Sequence, residues 1–402
     1  DKNKSDNPLY GIPILVKDNI NVGGMVTSAG ASAFKNNLVN DDATVIKNLK
    51  KNNVLVLGKL NMSEWAYYFC RPCPVGYSSL GGQTLNPYGR KIFESGGSSS
   101  GSGVSIAANF AVASLGSETS GSILSPSSRN SLVGLKPTIG SISRSGIVPI
   151  SSFFDTSGPM TTNVFDNAIL YNHMIGYDEN DNSSYEANSI NIDEMLNFDT
   201  SSIKIGYYER FSEDSLIKIA IADLIKINVE LKSINPKKIN LPYFRDILTS
   251  DMKRDLPKYI SKYGSKELMV KNVDDIVKFN NTDSILYAPY NQVLFNEIIR
   301  DTVSDVTLEF IKKKTRKDAS KYLTDLMIKY DIDVFISVDN SMAGIAAAAH
   351  YPALTIPMGY RKNGQPSNLT FVTSSRNEQL LYNIGFAYEK ISNKRLIPKN
   401  YN

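Results

Sequence analysis

The runs GGSSSGSG at residues 96–103 and GSETSGSI at 116–123 place two serines, Ser98 and Ser122, 24 residues apart in segments built of small side chains. From Ser95 to Ser131 there are 14 serines in 37 residues, yet Val104, Ile106, Ala107, Ala108, Phe110 and Val112 recur as apolar anchors. A flexible linker has no use for such anchors; small residues around them let backbone segments approach one another closely. A third element lies upstream in GIPILVKDNI at 11–20, where Lys17 follows Ile14, Leu15 and Val16 and precedes Asp18 and Asn19. A strand there delivers a lysine to the end of a sheet among polar neighbours. Strand-like runs at Ile12–Val16 and Val54–Leu57 alternate with a helical pattern around Asp42–Asn52, which favours an α/β sheet with helices packed on it.

Further out, Asn61 followed by Glu64 fits a capping-box start for a short helix carrying Trp65. Between 191 and 330 the sequence turns Lys/Asn/Asp/Ile-rich. Helical spacing appears in Leu216, Ile219, Ala220, Leu224 and Ile227, and again in Val303, Val306, Phe310 and Ile311. This reads as a variable helical insertion inside one domain spanning 1–402. The end returns to strands at Val334–Val338, Ala353–Ile356 and Leu369–Val372, then a helix with Leu380, Leu381, Ile384, Tyr388 and Ile391 on one face.

Of the 402 residues, 42% are hydrophobic and 21% charged, which suits a large folded core. The net charge of +4 is small and its lysines are scattered among acids, so nucleic acid is not indicated as a partner. The two longest stretches free of charged residues, 95–117 and 341–360, are poor in Leu and Phe, so no membrane span is expected. A cytoplasmic location is expected. The start at Asp1 rather than methionine fits removal of N-terminal sequence and is compatible with a cleaved signal peptide. Cys70 and Cys73, the sole cysteines, are expected as free thiols, because no further ligand accompanies them and no disulfide framework is needed. Nothing in the sequence fixes an oligomeric state.

A serine nucleophile needs a base, usually histidine. The only histidines, His173 in a helical AILYNHMIG and His350 in an alanine-rich run, have no motif-like setting and read as structural. Gly97–Gly101 matches GxSxG without the preceding strand, and Ser215–Lys218 matches SxxK on an ordinary amphipathic helix. Lysine serves as a base when burial keeps it neutral, and Lys17 has that context.

The segments GIPILVKDNINVGGMVTSAG (11–30), GKLNMSEWA (58–66), GGQTLNPYG (81–89), ESGGSSSGSGVSIAANF (94–110), GSETSGSI (116–123), GLKPTIGSISRSGIVPIS (134–151), DTSGPM (155–160) and YPALTIPMGYRKNGQPSNLTFV (351–372) together resemble the amidase signature family over nearly the whole chain. The resemblance implies that family's fold, a central mixed β-sheet covered by helices on both faces. It implies a hydrolase that cuts a carboxamide C–N bond through an acyl-enzyme, using neither cofactor nor metal, on a small-molecule or peptide amide. Carried over by position, Ser122 is the nucleophile, Ser98 the bridging serine after a cis peptide bond from Gly97, and Lys17 the base. The oxyanion hole is made of the backbone N–H groups of Thr119, Ser120, Gly121 and Ser122. Ser120 stands where the family often has Gly or Asp. Arg129, Arg144 and Asp155 fall at positions of supporting polar partners. Asp18 either orients Lys17 or caps a turn. Met62 and Trp65 either line the substrate funnel or pack in the core, and the 191–330 insertion shapes the pocket. GGQTLNPYG with GSETSGSI looks more like the stand-alone amidases, peptide amidases included. The alternative is a glutamine-dependent amidotransferase subunit acting with partner proteins, but the arginine-bearing segment expected of that subunit is not found.

Overall fold

In chain order the strands are β1 (Pro13–Lys17), β2 (Leu55–Leu60), β3 (Tyr77–Ser78), β4 (Gly82–Gln83), β5 (Ala113–Glu118), β6 (Val133–Lys136), β7 (Thr156–Thr161), β8 (Lys204–Tyr208), β9 (Glu230–Ile234), β10 (Val334–Val338), β11 (Ala353–Tyr360) and β12 (Pro366–Val372). Ten of them form one mixed sheet in the order β2-β1-β5-β7-β6-β11-β12-β10-β8-β9, and β3 and β4 make a separate small ribbon. The structure, a computed structural model, describes residues 7–399 and 401. Helices of the first half are α1 (Thr44–Lys51), α2 (Ser100–Ala107), α3 (Leu124–Arg129) and α4 (Val164–Met174). Then come α5 (Ile192–Asn197), α6 (Ser215–Lys226), α7 (Phe244–Tyr263), α8 (Val273–Asn281), α9 (Ser284–Tyr287) and α10 (Val293–Arg300). The chain ends with α11 (Asp305–Tyr330), α12 (Ala343–Ala349) and α13 (Glu378–Ser392). Among the described residues no helix is long and apolar enough to cross a membrane.

Strand periodicity sorts the side chains into two cores. On β10, Val334 and Ile336 face a layer holding α1, α4, α5, α6 and α13, while Phe335 faces a layer holding α3, α7, α8, α10, α11 and α12. Leu354 and Ile356 on β11 join the first layer and Ala353 the second. Helices therefore cover both faces of the sheet, as the resemblance implies. On β1, Ile14 and Val16 go to the first layer, so Lys17 is turned to the opposite face, where α2 and α3 start.

The 191–330 segment is less purely helical than expected. β8 and β9 extend the sheet at one edge, with β8 parallel to β10. Their patterns, KIGYY and ELKSI, are short and half-exposed, so periodicity alone did not mark them. In α11, Val306 is 83% and Phe310 61% exposed, whereas Leu308, Ile311, Thr315 and Ala319 are buried. The helix turns a different face inward from the one expected because Leu308 and Ala319 join Ile311 against the second core. The capping box at Asn61 does not form. Glu64 instead accepts the Ser79 N–H (2.7 Å), and Asn61 donates to Gly82 O and Thr84 Oγ1. Cys70 and Cys73 are joined in a disulfide rather than free. The turn through Arg71-Pro72 brings their Cα atoms to 5.5 Å, within bridging distance.

The close spacing of the central strands leaves no room for a side chain at Gly158 on β7, which pairs with Gly116 on β5. A Cβ there would lie 2.0 Å from the Leu135 carbonyl oxygen of β6. Gly158→Ala is expected to destabilise the fold by about 3 kcal/mol, since backbone cannot move aside as a flexible side chain does; denaturant unfolding measures it, and an unshifted midpoint contradicts this packing.

Candidate active site

Topology gathers the site where β1 and β5 end and β7 begins, inside the sheet rather than at its flank. β1 runs parallel to β5, with Val16 level with Leu115, so Lys17 and Ser117–Glu118 emerge together. β7 is antiparallel to β5, which brings Asp155, just before β7, to the same end. β5 feeds the loop Thr119–Ile123 into α3, while the Gly97-Ser98 segment enters α2; the Gly97–Ser98 peptide bond is cis. Ser99 N–H donates to the Ser122 carbonyl (3.1 Å), which ties the two serine segments together.

Lys17 is fully buried. Its Nζ donates to Ser98 Oγ (2.8 Å), Ser117 Oγ (2.9 Å) and Ser117 O (3.0 Å). Burial lowers its pKa to about 7, against the opposing pull of the Asp155 and Glu118 carboxylates. Ser117 Oγ is fixed in turn by Asn19 Nδ2 (2.9 Å). Ser122 is buried at the turn into α3.

Glu118 organises that turn. Its Oε1 accepts the Gly121 N–H (2.6 Å), and Oε2 accepts those of Ile123 (2.7 Å) and Leu124 (3.0 Å). Burial pushes this carboxyl up, while the three N–H groups and Lys136 pull it back. Gly121 has φ +95°, and a Cβ there would meet Asn340 Nδ2 at 2.8 Å, so the turn needs glycine on both counts. The expected donor set is corrected accordingly: Gly121 N–H is already taken by Glu118. The N–H groups of Thr119, Ser120 and Ser122 have no protein acceptor among the described residues. Ser120 keeps negative φ, so no strain follows from serine at that position.

The other expected residues divide. Asp155 is bonded to the turn: it accepts from Thr119 Oγ1 (2.6 Å) and from the Ile150 and Ser151 N–H groups, and burial raises its pKa to about 6. Arg144 does not touch the serines; it pairs with Asp181 and donates to Ser152 O, beside Asp155 in one cleft. Arg129, the last residue of α3, pairs with Asp339 (3.4 Å) rather than with Lys17 or Asp155. Asp18 does not orient Lys17. It binds Ser28 and pairs with Lys59 (3.2 Å). Met62 and Trp65 are core residues, Trp65 packed between Phe34 and Phe295. His173 bonds Ile169 O within its own helix, and His350 caps α12 with its ring on Phe153. Lys218 of the SxxK match pairs with Glu213 on the surface.

Sequence reasoning missed Glu118, Ser117 and Asn19. Glu118 had a signal: it is the one acidic residue between Ser95 and Ser131. Ser117 had none among so many serines.

Two clefts lie beside the Thr119–Ile123 turn. One, of about 530 Å³, is walled by Phe244, Leu241, Tyr322, Met342 and Ile345 and reaches the turn through Gly344, at which a Cβ would sit 3.8 Å from Ser120 Oγ. The other, of about 690 Å³, contains Asp155 and Phe153.

Residues 1–298 match the amidase family model. A probable amidase of Arabidopsis thaliana is 30% identical over 425 aligned residues, covering 97% of this chain and 78% of the relative. Among solved structures, an amidase family protein from Bacillus anthracis str. Ames is similar with a TM-score of 0.93 at 36% identity, covering 99% of this chain and 81% of that one. Native peptide amidase from Stenotrophomonas maltophilia is similar with a TM-score of 0.90 at 30% identity, covering 98% and 85%.

Glu118→Gln replaces one acceptor oxygen by an NH2 group that faces a backbone N–H. The expected cost is about 2 kcal/mol of stability, the penalty of a buried donor left unpaired. Urea unfolding reads it, and an unchanged midpoint means that Glu118 does not organise the turn.

Proposed function

The chain belongs to the amidase family, hydrolases acting on amide C–N bonds, and on that premise we propose that Ser122 is its nucleophile, Ser98 its proton bridge and Lys17 its base. The observation that carries the reading is the buried Lys17 Nζ at 2.8 Å from Ser98 Oγ, with its pKa lowered to about 7. In the neutral amine two hydrogens go to Ser117 O and Oγ, which leaves the lone pair aimed at Ser98. Lys17 then takes a proton from Ser98 as Ser98 takes one from Ser122, and Ser122 Oγ attacks the amide carbonyl. The oxyanion forms beside the unengaged N–H groups of Thr119, Ser120 and Ser122, donors that a buried loop holds ready. Ser98 passes its proton to the leaving nitrogen. Water, deprotonated through the same relay, frees the acid from Ser122.

Asp155 holds Thr119 and, with Glu118, opposes the loss of charge at Lys17, so the base is neutral near pH 7 without being driven lower. The substrate is a small-molecule or peptide amide, a reading supported by likeness to the peptide amidase. The 191–330 segment supplies much of both clefts, through Phe244 and Tyr322 on one flank and Lys262 and Arg316 on the other, in keeping with its role in shaping the pocket.

Ser122→Ala is expected to lower kcat for ammonia release from a carboxamide by roughly 10³-fold or more, with the fold retained; full turnover in that variant overturns the assignment. Release by the isolated chain also separates this reading from a glutamine-dependent amidotransferase subunit that acts only with its partner proteins. Because the base must be neutral, kcat/KM should rise with pH through about 7 and level off above it, falling tenfold per unit below. A flat profile between acid and neutral pH speaks against Lys17 as base.

A further inference from the structure

The cleft on the Asp155 flank is walled by two helix faces. α7 presents Asp255, Lys258 and Lys262 at i, i+3 and i+7, and α11 presents Glu309, Lys312, Lys313 and Arg316 at i, i+3, i+4 and i+7. Such spacings align side chains along one side of a helix. The acids of this cleft all have partners. Asp181 pairs with Arg144, Asp255 with Lys258 (3.4 Å), Glu309 with Lys312 (3.6 Å), and Asp155 is held by Thr119 and two backbone N–H groups. Lys312 also reaches the buried Asp251 (2.6 Å).

Three cations remain over. Lys262 donates to the neutral Asn180 side chain (3.0 Å) and lies over the Tyr263 ring, and Lys262, Lys313 and Arg316 have no carboxylate within ion-pair distance among the described residues. They come from two different helices and converge on one concavity, whose inner end is Asp155, hydrogen-bonded to the turn that carries Ser122. The opposite cleft carries aromatic and aliphatic side chains together with Glu209, Arg210 and Lys238, and no carboxyl in it is bonded to the turn.

We propose that the cleft between α7 and α11 is a subsite for a carboxylate borne by the substrate, so that the chain prefers acidic amides, such as peptide amides with Asp or Glu near the scissile carboxamide. Lys313 and Arg316 on α11 and Lys262 on α7 hold that carboxylate, the guanidinium in the two-pronged manner that suits it. The proposal rests on Ser122 being the nucleophile, since the cleft is tied to that turn through the Asp155–Thr119 hydrogen bond.

The test is calorimetric binding to the Ser122→Ala protein of acetyl-Glu-Phe-amide and acetyl-Gln-Phe-amide, which differ by one charge. At low salt the acidic peptide should bind roughly five- to tenfold tighter, as expected for a few partly solvated ion pairs. The ratio should shrink at high salt, where such pairs are screened, and approach one in Lys313→Gln/Arg316→Gln, whose fold is checked by its melting temperature. Equal affinities, or a ratio that survives the double substitution, overturn the subsite. Because the readout is affinity in a protein without the serine, turnover persisting in Ser122→Ala is a separate result, against the catalytic reading alone.

Discussion

The site depends on an ammonium that the fold refuses to solvate. Lys17 ends a strand whose preceding residues lie in the apolar core, so its side chain cannot leave for water without dismantling β1. Desolvation favours the neutral amine, and two carboxylates at the same strand ends keep that preference moderate. The small residues of the 95–131 region follow from the same constraint. A lysine head, Ser98, Ser117 and the turn that carries Ser122 must meet within hydrogen-bonding distance, and larger side chains would hold the segments apart.

A second constraint is the turn itself. Three consecutive features define it: the Glu118 carboxylate beneath, glycine at 121 against Asn340, and the start of α3 beyond. One carboxylate satisfies three N–H groups that a helix start would otherwise leave unpaired, and this fixes which amides of the loop still point outward. The N–H groups of the loop left without a protein acceptor are thus selected by what Glu118 does not take.

Much of the fold was legible in the sequence because it rests on periodicity and spacing. The alternation of β10 and β11 between two cores and the strand ending at Lys17 follow from a side-chain period of two, and the helical period gives Leu216, Ala220 and Leu224 of the buried α6 face, though Ile219 turns outward. What escaped was decided by tertiary partners. Glu64 faced a capping choice that the Ser79 N–H settled otherwise, and the pairing of Asp18 with Lys59 depends on β2 lying beside β1. Trp65 could have lined a funnel or filled a core, and only the positions of Phe34 and Phe295 decide that. The disulfide needed the turn at Arg71-Pro72, which two cysteines in a string do not announce.

α7 begins at the apolar cleft with Phe244 and ends at the cationic one with Lys262, while α11 runs the opposite way, from Glu309 to Tyr322. Each rigid rod therefore touches both flanks of the turn. A shift of either helix would widen one opening and alter the other in the same movement, so the two clefts are gauged jointly, as by a pair of calipers, and neither can be re-sized independently.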